Sequence, residues 1–315
     1  MISRLTKFFL FFIAPVLLAI TIFITYISFS RLVFPYDLTL KNGKKVSVVA
    51  AKIRNKLLKQ KDIKFVNFKS KDGIKLAGYL VKRGKATANF LVCHGYQSRK
   101  EFVSAAINAF PNFNILIFDF RAHGQSEGKY RTLGCNEYKD VIAAAQFLQA
   151  NTKVQKNLPN QLPLIIWGFS MGGAAALKAT EYEQSIADAF IIDSAFCDMR
   201  SVIYNSFSLK SKLPTIPFLP ILEKTTNFVA GCDISKMRPI QNVQKITQPI
   251  FFVHSCTDKI VPPSHSLEMY AKAKENNDQT KLWITPKIQH AKTIDENLEI
   301  YVKKINKFLK NTLKI

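Results

Sequence analysis

The chain has 315 residues, enough for one large domain with a sizeable core, and nothing downstream of its N-terminus reads as a linker, a repeat or a low-complexity tract. Its 45 Lys/Arg against 22 Asp/Glu give a formal charge of +23, and the excess is local: residues 36–100 hold 17 basic and 3 acidic residues, residues 101–315 hold 25 and 19. Zinc-finger spacing, RNA-binding aromatic signatures and basic zippers are missing, so the basicity does not argue for nucleic-acid binding.

The first element is apolar. Phe8 to Ser30 carries no charge, with Arg4 and Lys7 before it and Arg31 after it. As a helix it would run about 34 Å, enough for a hydrocarbon core of about 30 Å. No small-x-small cleavage site lies near Ser28 or Ser30, so residues 1–31 read as an uncleaved membrane anchor rather than a signal peptide. Arg4 and Lys7 on one side are balanced by Arg31, Lys41, Lys44 and Lys45 on the other, which leaves the orientation open. Residues 32–62 form a basic juxtamembrane linker. Within it Val49, Ile53, Leu57 and Leu58 recur at helical spacing among lysines over Val46 to Lys61. Such a helix could lie on an anionic membrane, making residues 41–61 a second contact, or could pack on the domain with a solvated basic face.

Residues 63–315 alternate strands and helices. Ile63 to Phe68 and Ile74 to Val81, joined through Asp72-Gly73, predict a hairpin. Buried strands follow at Asn89–Cys93, Ile115–Phe118, Leu164–Phe169, Ala189–Ile192, Pro249–His254 and Lys281–Thr285. Helices are predicted around Glu101–Phe110 and over Tyr138–Ala150, Ser264–Lys274 and Asp295–Leu313, with an irregular Pro-rich segment at 194–239. This alternation implies an α/β fold, a mainly parallel sheet covered by helices on both faces. The five cysteines are widely spaced with no C-x-x-C pair; they read as small buried hydrophobes, in a reducing compartment or simply buried in an oxidising one.

One stretch stands out chemically. Leu164 to Phe169 reaches Ser170 between glycines and continues into the helix-forming Ala174–Ala179, the G-x-S-x-G strand–turn–helix pattern. Glycines around the turn remove Cβ atoms that would clash, and the helix that follows aims free N–H groups at the position of a developing oxyanion.

His94-Gly95-Tyr96, the stretch Asp119 to Gly128, Gly168 to Gly173, Cys256 to Pro262 and Gln289-His290-Ala291 come in an order that resembles the α/β-hydrolases, over about residues 63–313. Among them the chain looks like the serine aminopeptidase-like and membrane-anchored serine-hydrolase branch. The resemblance implies an α/β-hydrolase fold, with residues 194–239 as a small cap. It also implies Ser170 as nucleophile, Asp258 as acid and His290 as base, with the backbone N–H groups of Tyr96 and Met171 as oxyanion donors. It calls for no cofactor or metal. Asp193 is the rival acid; His94, His123 and Asp119 are expected to shape loops, and His265 to lie at a surface or helix start. His254-Ser255 departs from the His-Gly pair usual in relatives. A serine at the elbow, where dehalogenases and epoxide hydrolases have aspartate, points to acyl transfer to water from an ester, thioester or amide. The substrate is then a small acyl, lipid-like or peptide compound. A catalytically silent hydrolase-fold protein binding a lipid or protein partner is the alternative reading.

Overall fold

The computed structural model describes residues 4–36, 44–152 and 161–315. Lys41 and most of the start of the basic stretch lie outside these residues. The strands are β1 (Ile63–Lys69), β2 (Lys75–Val81), β3 (Ala88–Cys93), β4 (Phe113–Phe118), β5 (Leu164–Phe169), β6 (Ala189–Asp193), β7 (Ile250–Ser255) and β8 (Lys281–Thr285). The principal helices are α1 (Ala14–Val33), α2 (Val46–Leu57), α3 (Tyr138–Asn151), α4 (Met171–Ala179), α5 (Met199–Ser211), α6 (Phe218–Ala230), α7 (Ser264–Lys274) and α8 (Leu298–Leu313).

The strands form one sheet in the order β1-β2-β4-β3-β5-β6-β7-β8. The predicted hairpin is there, with Ile63 opposite Val81, and β2 runs antiparallel to β4; every later pairing is parallel. Central strands β3, β4, β5 and β6 are buried along their whole length, which is why they read as continuous apolar runs and not as alternating ones. Helices cover both faces. On one, Leu91, Leu116, Ile166 and Ile192 meet α3 and α4; on the other, Phe90, Ile117, Trp167 and Ile191 meet α8, where the Trp167 indole donates to the Tyr301 hydroxyl at 3.0 Å. Because β3 and β5 to β8 are parallel, the loops after them gather at one sheet edge.

Two expectations change. Residues 194–239 are not irregular: α5, capped by the Asp198 carboxylate accepting from Ser201 N–H, and α6 occupy most of them. Pro214 and Pro217 sit between the helices, Pro220 in the first turn of α6 and Pro239 at the start of the short helix Pro239–Val243, positions where a missing N–H costs no helical hydrogen bond. Cys135 and Cys232, 97 residues apart, form a disulfide joining the loop before α3 to the segment after α6; Cys93, Cys197 and Cys256 are free. No spacing motif marks such a pair.

The N-terminal helix is not a detached rod. Thr25, Phe29 and Val33 of α1 are buried, and α1 packs along α6. Phe29 and Val33 join Ala174, Phe196, Met199, Leu219, Leu222 and Met237 in a third apolar cluster. The helix end is also capped by the domain: the Tyr96 hydroxyl lies 2.9 and 2.8 Å from the carbonyl oxygens of Arg31 and Leu32, and Arg131 N–H donates to Val33 O at 2.7 Å. These are among the last carbonyls of a helix, which have no partner within it. The stretch Phe11–Val33 is long and apolar enough to cross a membrane. Helix α2 packs through Leu57 and Ile53 against the α8 face of the sheet, with Lys52 and Lys56 exposed.

Candidate active site

Ser170 stands between β5 and α4 with φ 50° and ψ −117°. A non-glycine residue rarely adopts such angles, and a positive φ at this one position costs of order 1–3 kcal/mol that the surroundings must hold in place. What holds it is visible. Ser170 N–H donates to Asp193 O at 2.8 Å, and a Cβ at Gly172 would run into the carbonyl oxygens of Cys93 and His94. A Cβ at Gly168 would sit 2.5 Å from the Gly173 Cα, so the strand end and helix start approach as only glycines permit.

The structure brings Ser170 together with the two partners expected for it. His290, on the loop after β8, has Nε2 at 2.9 Å from Ser170 Oγ and Nδ1 at 2.6 Å from Asp258 Oδ2. A carboxylate only accepts, so Nδ1 carries the proton and the Nε2 lone pair faces the serine hydroxyl. Asp258 is fully supplied with donors: Oδ1 takes the N–H groups of Ile260 and Val261 at 2.9 and 3.1 Å, and Oδ2 also lies 3.3 Å from His254 Nε2. Burial alone would push this carboxyl up, but the hydrogen bonds from His254, His290 and the Val261 N–H together carry it well below the usual carboxylate range. Asp193 does not compete. Its carboxylate is wholly buried, accepts from the Ser194 hydroxyl at 2.8 Å and is pushed up in pKa by burial.

The two expected oxyanion donors flank the serine. Met171 N–H opens α4, and Gly95 passes so close that a Cβ on it would lie 3.4 Å from Ser170 Cβ, which brings the Gly95–Tyr96 peptide beside the hydroxyl. Among the described residues no hydrogen bond engages either N–H. The Tyr96 side chain has a task of its own that sequence reasoning missed: it ties this loop to the end of α1.

The comparisons with known proteins bear on the family and the fold. The family model of the prolyl oligopeptidase family matches residues 112–315, nearly two thirds of the chain and all of it from β4 to α8. The chain belongs to the prolyl oligopeptidase family. It is 29% identical over 243 residues to YqkD of Bacillus subtilis, 76% of each chain, and 23% identical over 229 residues to the membrane protein YNL320W of Saccharomyces cerevisiae, 71% of this chain and 72% of that one. Among solved structures, the Pyrococcus furiosus esterase Pf2001 superposes with a TM-score of 0.63 at 26% identity, covering 79% of this chain and 92% of that one. The α/β-hydrolase fold and superfamily expected from the five motifs are therefore those of the chain.

In this prolyl oligopeptidase-family chain the remaining polar residues of the site edge are occupied structurally. His94 accepts from Phe120 N–H at 3.1 Å and donates to Gly95 O at 2.7 Å; burial lowers its pKa to about 4, so it stays neutral. His123 is wholly enclosed, and burial first and the neighbouring His94 next hold its pKa well below the ordinary value. Asp119 pins its loop as expected, but through Lys100 and not Arg121: it accepts from Lys100 N–H at 2.8 Å, Lys100 Nζ at 2.5 Å and Gln125 N–H at 2.8 Å. Arg121 pairs with Asp140 and Asp72. His265 begins α7 but is buried, 3.0 Å from Cys197 Sγ, and is not a surface residue. Burial pushes the thiols of Cys93 and Cys197 up, Cys197 to about 12, so neither is a thiolate at neutral pH.

Ser255 has a part the sequence flagged only as a departure. Its hydroxyl donates to Ile288 O at 2.5 Å and accepts from Ile288 N–H at 3.1 Å, so the end of β7, which leads to Asp258, is clamped to the loop that carries His290. A glycine there could not do this.

Proposed function

We propose that the chain is a membrane-anchored serine hydrolase that cleaves an ester, thioester or amide bond through an acyl-enzyme on Ser170, a carboxylic ester being the first choice. The observation that carries this reading is the continuous relay from Ser170 Oγ through His290 to Asp258, at 2.9 and 2.6 Å, on loops from three separate strands. A binding module has no use for all three roles at once.

The steps follow from the protonation states. Ser170 Oγ attacks the acyl carbon as His290 Nε2 takes its proton; Asp258 keeps the imidazole tautomer and stabilises the imidazolium. Negative charge on the carbonyl oxygen falls to the N–H groups of Met171 and Tyr96. His290 then gives its proton to the leaving group, and water, deprotonated by the same imidazole, releases the acid and restores Ser170. The test is labelling by a fluorophosphonate probe: wild type labels and Ser170→Ala does not, and equal labelling of both would remove the nucleophile assignment. The P. furiosus neighbour's description as an esterase supports esters as first substrates to try.

The apolar stretch Phe11–Val33, whose Phe11, Phe12 and Phe23 are more than half exposed, supports anchoring in a bilayer, and the basic face of α2 adds attraction to anionic lipids. The Cys135–Cys232 disulfide favours the oxidising side of that membrane for the domain. Cys256 is free and exposed, so a membrane-impermeant maleimide should modify it in intact cells; modification only after lysis would reverse the orientation.

A further inference from the structure

The cap is small, and its own core is complete without its outer face. Helix α6 buries Phe218, Leu219, Leu222, Thr226 and Ala230, and of these Leu219, Leu222 and Ala230 join the cluster shared with Phe29 and Val33 of α1. On the opposite side Ile221, Lys224 and Phe228, spaced by three and four residues, form one exposed stripe. Phe228 is 92% exposed, and Ile216, just before the helix, is 74% exposed. A pair of such large apolar side chains on one short cap is not needed to fold it, and a phenylalanine left in water forfeits its burial.

The position of this stripe decides what covers it. A hydrocarbon core of about 30 Å takes about 20 helical residues. Counted from Phe11, the span runs to Val33 and includes Thr25, Phe29 and Val33, the face packed along α6. Counted from Arg4, it ends near residue 24, one residue before that packed face begins. On either count α6 stands beside a part of α1 that is at or within the bilayer boundary.

We propose that α6 is itself seated in the membrane at the boundary of headgroups and acyl chains, with Ile216, Ile221 and Phe228 against lipid. This rests on the reading that α1 crosses the bilayer. Lys224, between the two apolar side chains, lays its stem along them and carries its ammonium to the headgroups, where anionic lipids complement it. The hydrolase is thus held at two points, by α1 through the bilayer and by its cap on the surface. The cap helix that shares a core with Ala174 of the elbow helix is thereby in contact with lipid.

The experiment uses the full chain in vesicles of phosphatidylcholine and phosphatidylglycerol, with single tryptophans at Phe228, Ile221, Ile22 of α1 and Tyr182, exposed at the far end of α4 from Ser170. Emission added to that of the native Trp167 and Trp283 is recorded with and without lipids brominated on their acyl chains. Phe228→Trp and Ile221→Trp should emit to the blue and lose most of the added emission to bromine, as Ile22→Trp does, whereas Tyr182→Trp should emit to the red and lose none. Quenching at Ile22→Trp without quenching at Phe228→Trp overturns the cap assignment and leaves the anchor standing. A blue but unquenched Phe228→Trp overturns it in favour of a protein covering the face. Absence of quenching at Ile22→Trp removes the anchor and this inference together.

Discussion

Replacing Asp258 by asparagine is the sharpest test of the relay, because the geometry dictates how the amide must sit. Oδ1 holds two backbone N–H groups, from Ile260 and Val261 at 2.9 and 3.1 Å, so the asparagine oxygen stays there and its NH2 takes the place of Oδ2. That NH2 then faces His290 Nδ1, where the carboxylate accepted a hydrogen bond at 2.6 Å, and stands against His254 Nε2, whose N–H is shared between Val261 O at 2.8 Å and this same position at 3.3 Å. Two donors cannot share a hydrogen bond, so His290 moves its proton to Nε2 and can no longer take one from Ser170. Removing the acid of such a relay by this substitution lowers kcat roughly 10³–10⁴-fold, which is about 4–5.5 kcal/mol of transition-state stabilisation. The assay is steady-state hydrolysis of a p-nitrophenyl ester by a variant first checked for an unchanged melting profile; kcat should fall with KM nearly constant. Asp193→Asn, whose carboxylate makes no hydrogen bond to His290 and reaches its loop only through the Ser194 hydroxyl, is the matched control. Near-normal kcat in Asp258→Asn, or an equal loss in Asp193→Asn, refutes the assignment of the acid.

Ser255→Ala removes both hydrogen bonds to Ile288 and leaves its buried amide to find another partner, its carbonyl keeping the Thr257 hydroxyl at 3.2 Å, a loss of about 1–3 kcal/mol in stability; thermal melting should show it, and kcat should fall as the His290 loop loosens, with an unchanged kcat showing that the clamp is dispensable. The buried His94, held neutral with a pKa of about 4 against an ordinary 6.5, binds fewer protons folded than unfolded between those values, so its contribution is whole above about pH 6.5 and is lost as pH falls toward 4. The stability difference between wild type and His94→Asn in urea unfolding should change by about 3 kcal/mol across that window, and a difference constant from pH 7 to 4 would contradict the neutral, buried assignment. Cys232→Ser opens a 97-residue loop and should cost roughly 2–5 kcal/mol, while peptide mapping without reductant should recover the Cys135–Cys232 pair from the wild type; two alkylated thiols in its place would argue against the bridge.

Most of the sheet could be read along the chain. Strands β3 to β6 are short continuous apolar runs bounded by turn residues, and α7 begins and ends where its pattern predicts, because period and punctuation are local properties. The cap could not be read in this way: prolines in 194–239 suggested irregular chain, yet a proline in the first turn of a helix costs nothing, and that distinction needs the helix boundaries. At the site, Ser170 announces itself through its glycines. Its partners could be assigned from motif order, but the choice of Asp258 over Asp193 rests on which carboxylate reaches His290 in three dimensions.

By itself, then, the sequence determined the α/β-hydrolase class, the elbow and an N-terminal helix apolar enough to cross a membrane. Only the tertiary structure decided that this helix is part of the domain, with its last carbonyls taken by Tyr96 and Arg131 and its buried face shared with the cap. It alone decided that Lys100 neutralises Asp119 in the interior, that Ser255 clamps the His290 loop and that Cys135 meets Cys232. The physical reason is common to all of these. Propensity and hydrophobic period are written in neighbouring residues, whereas a hydrogen bond, an ion pair or a disulfide between distant residues depends on where the packed sheet brings two chain segments together, and such a pairing leaves no periodic trace in either segment.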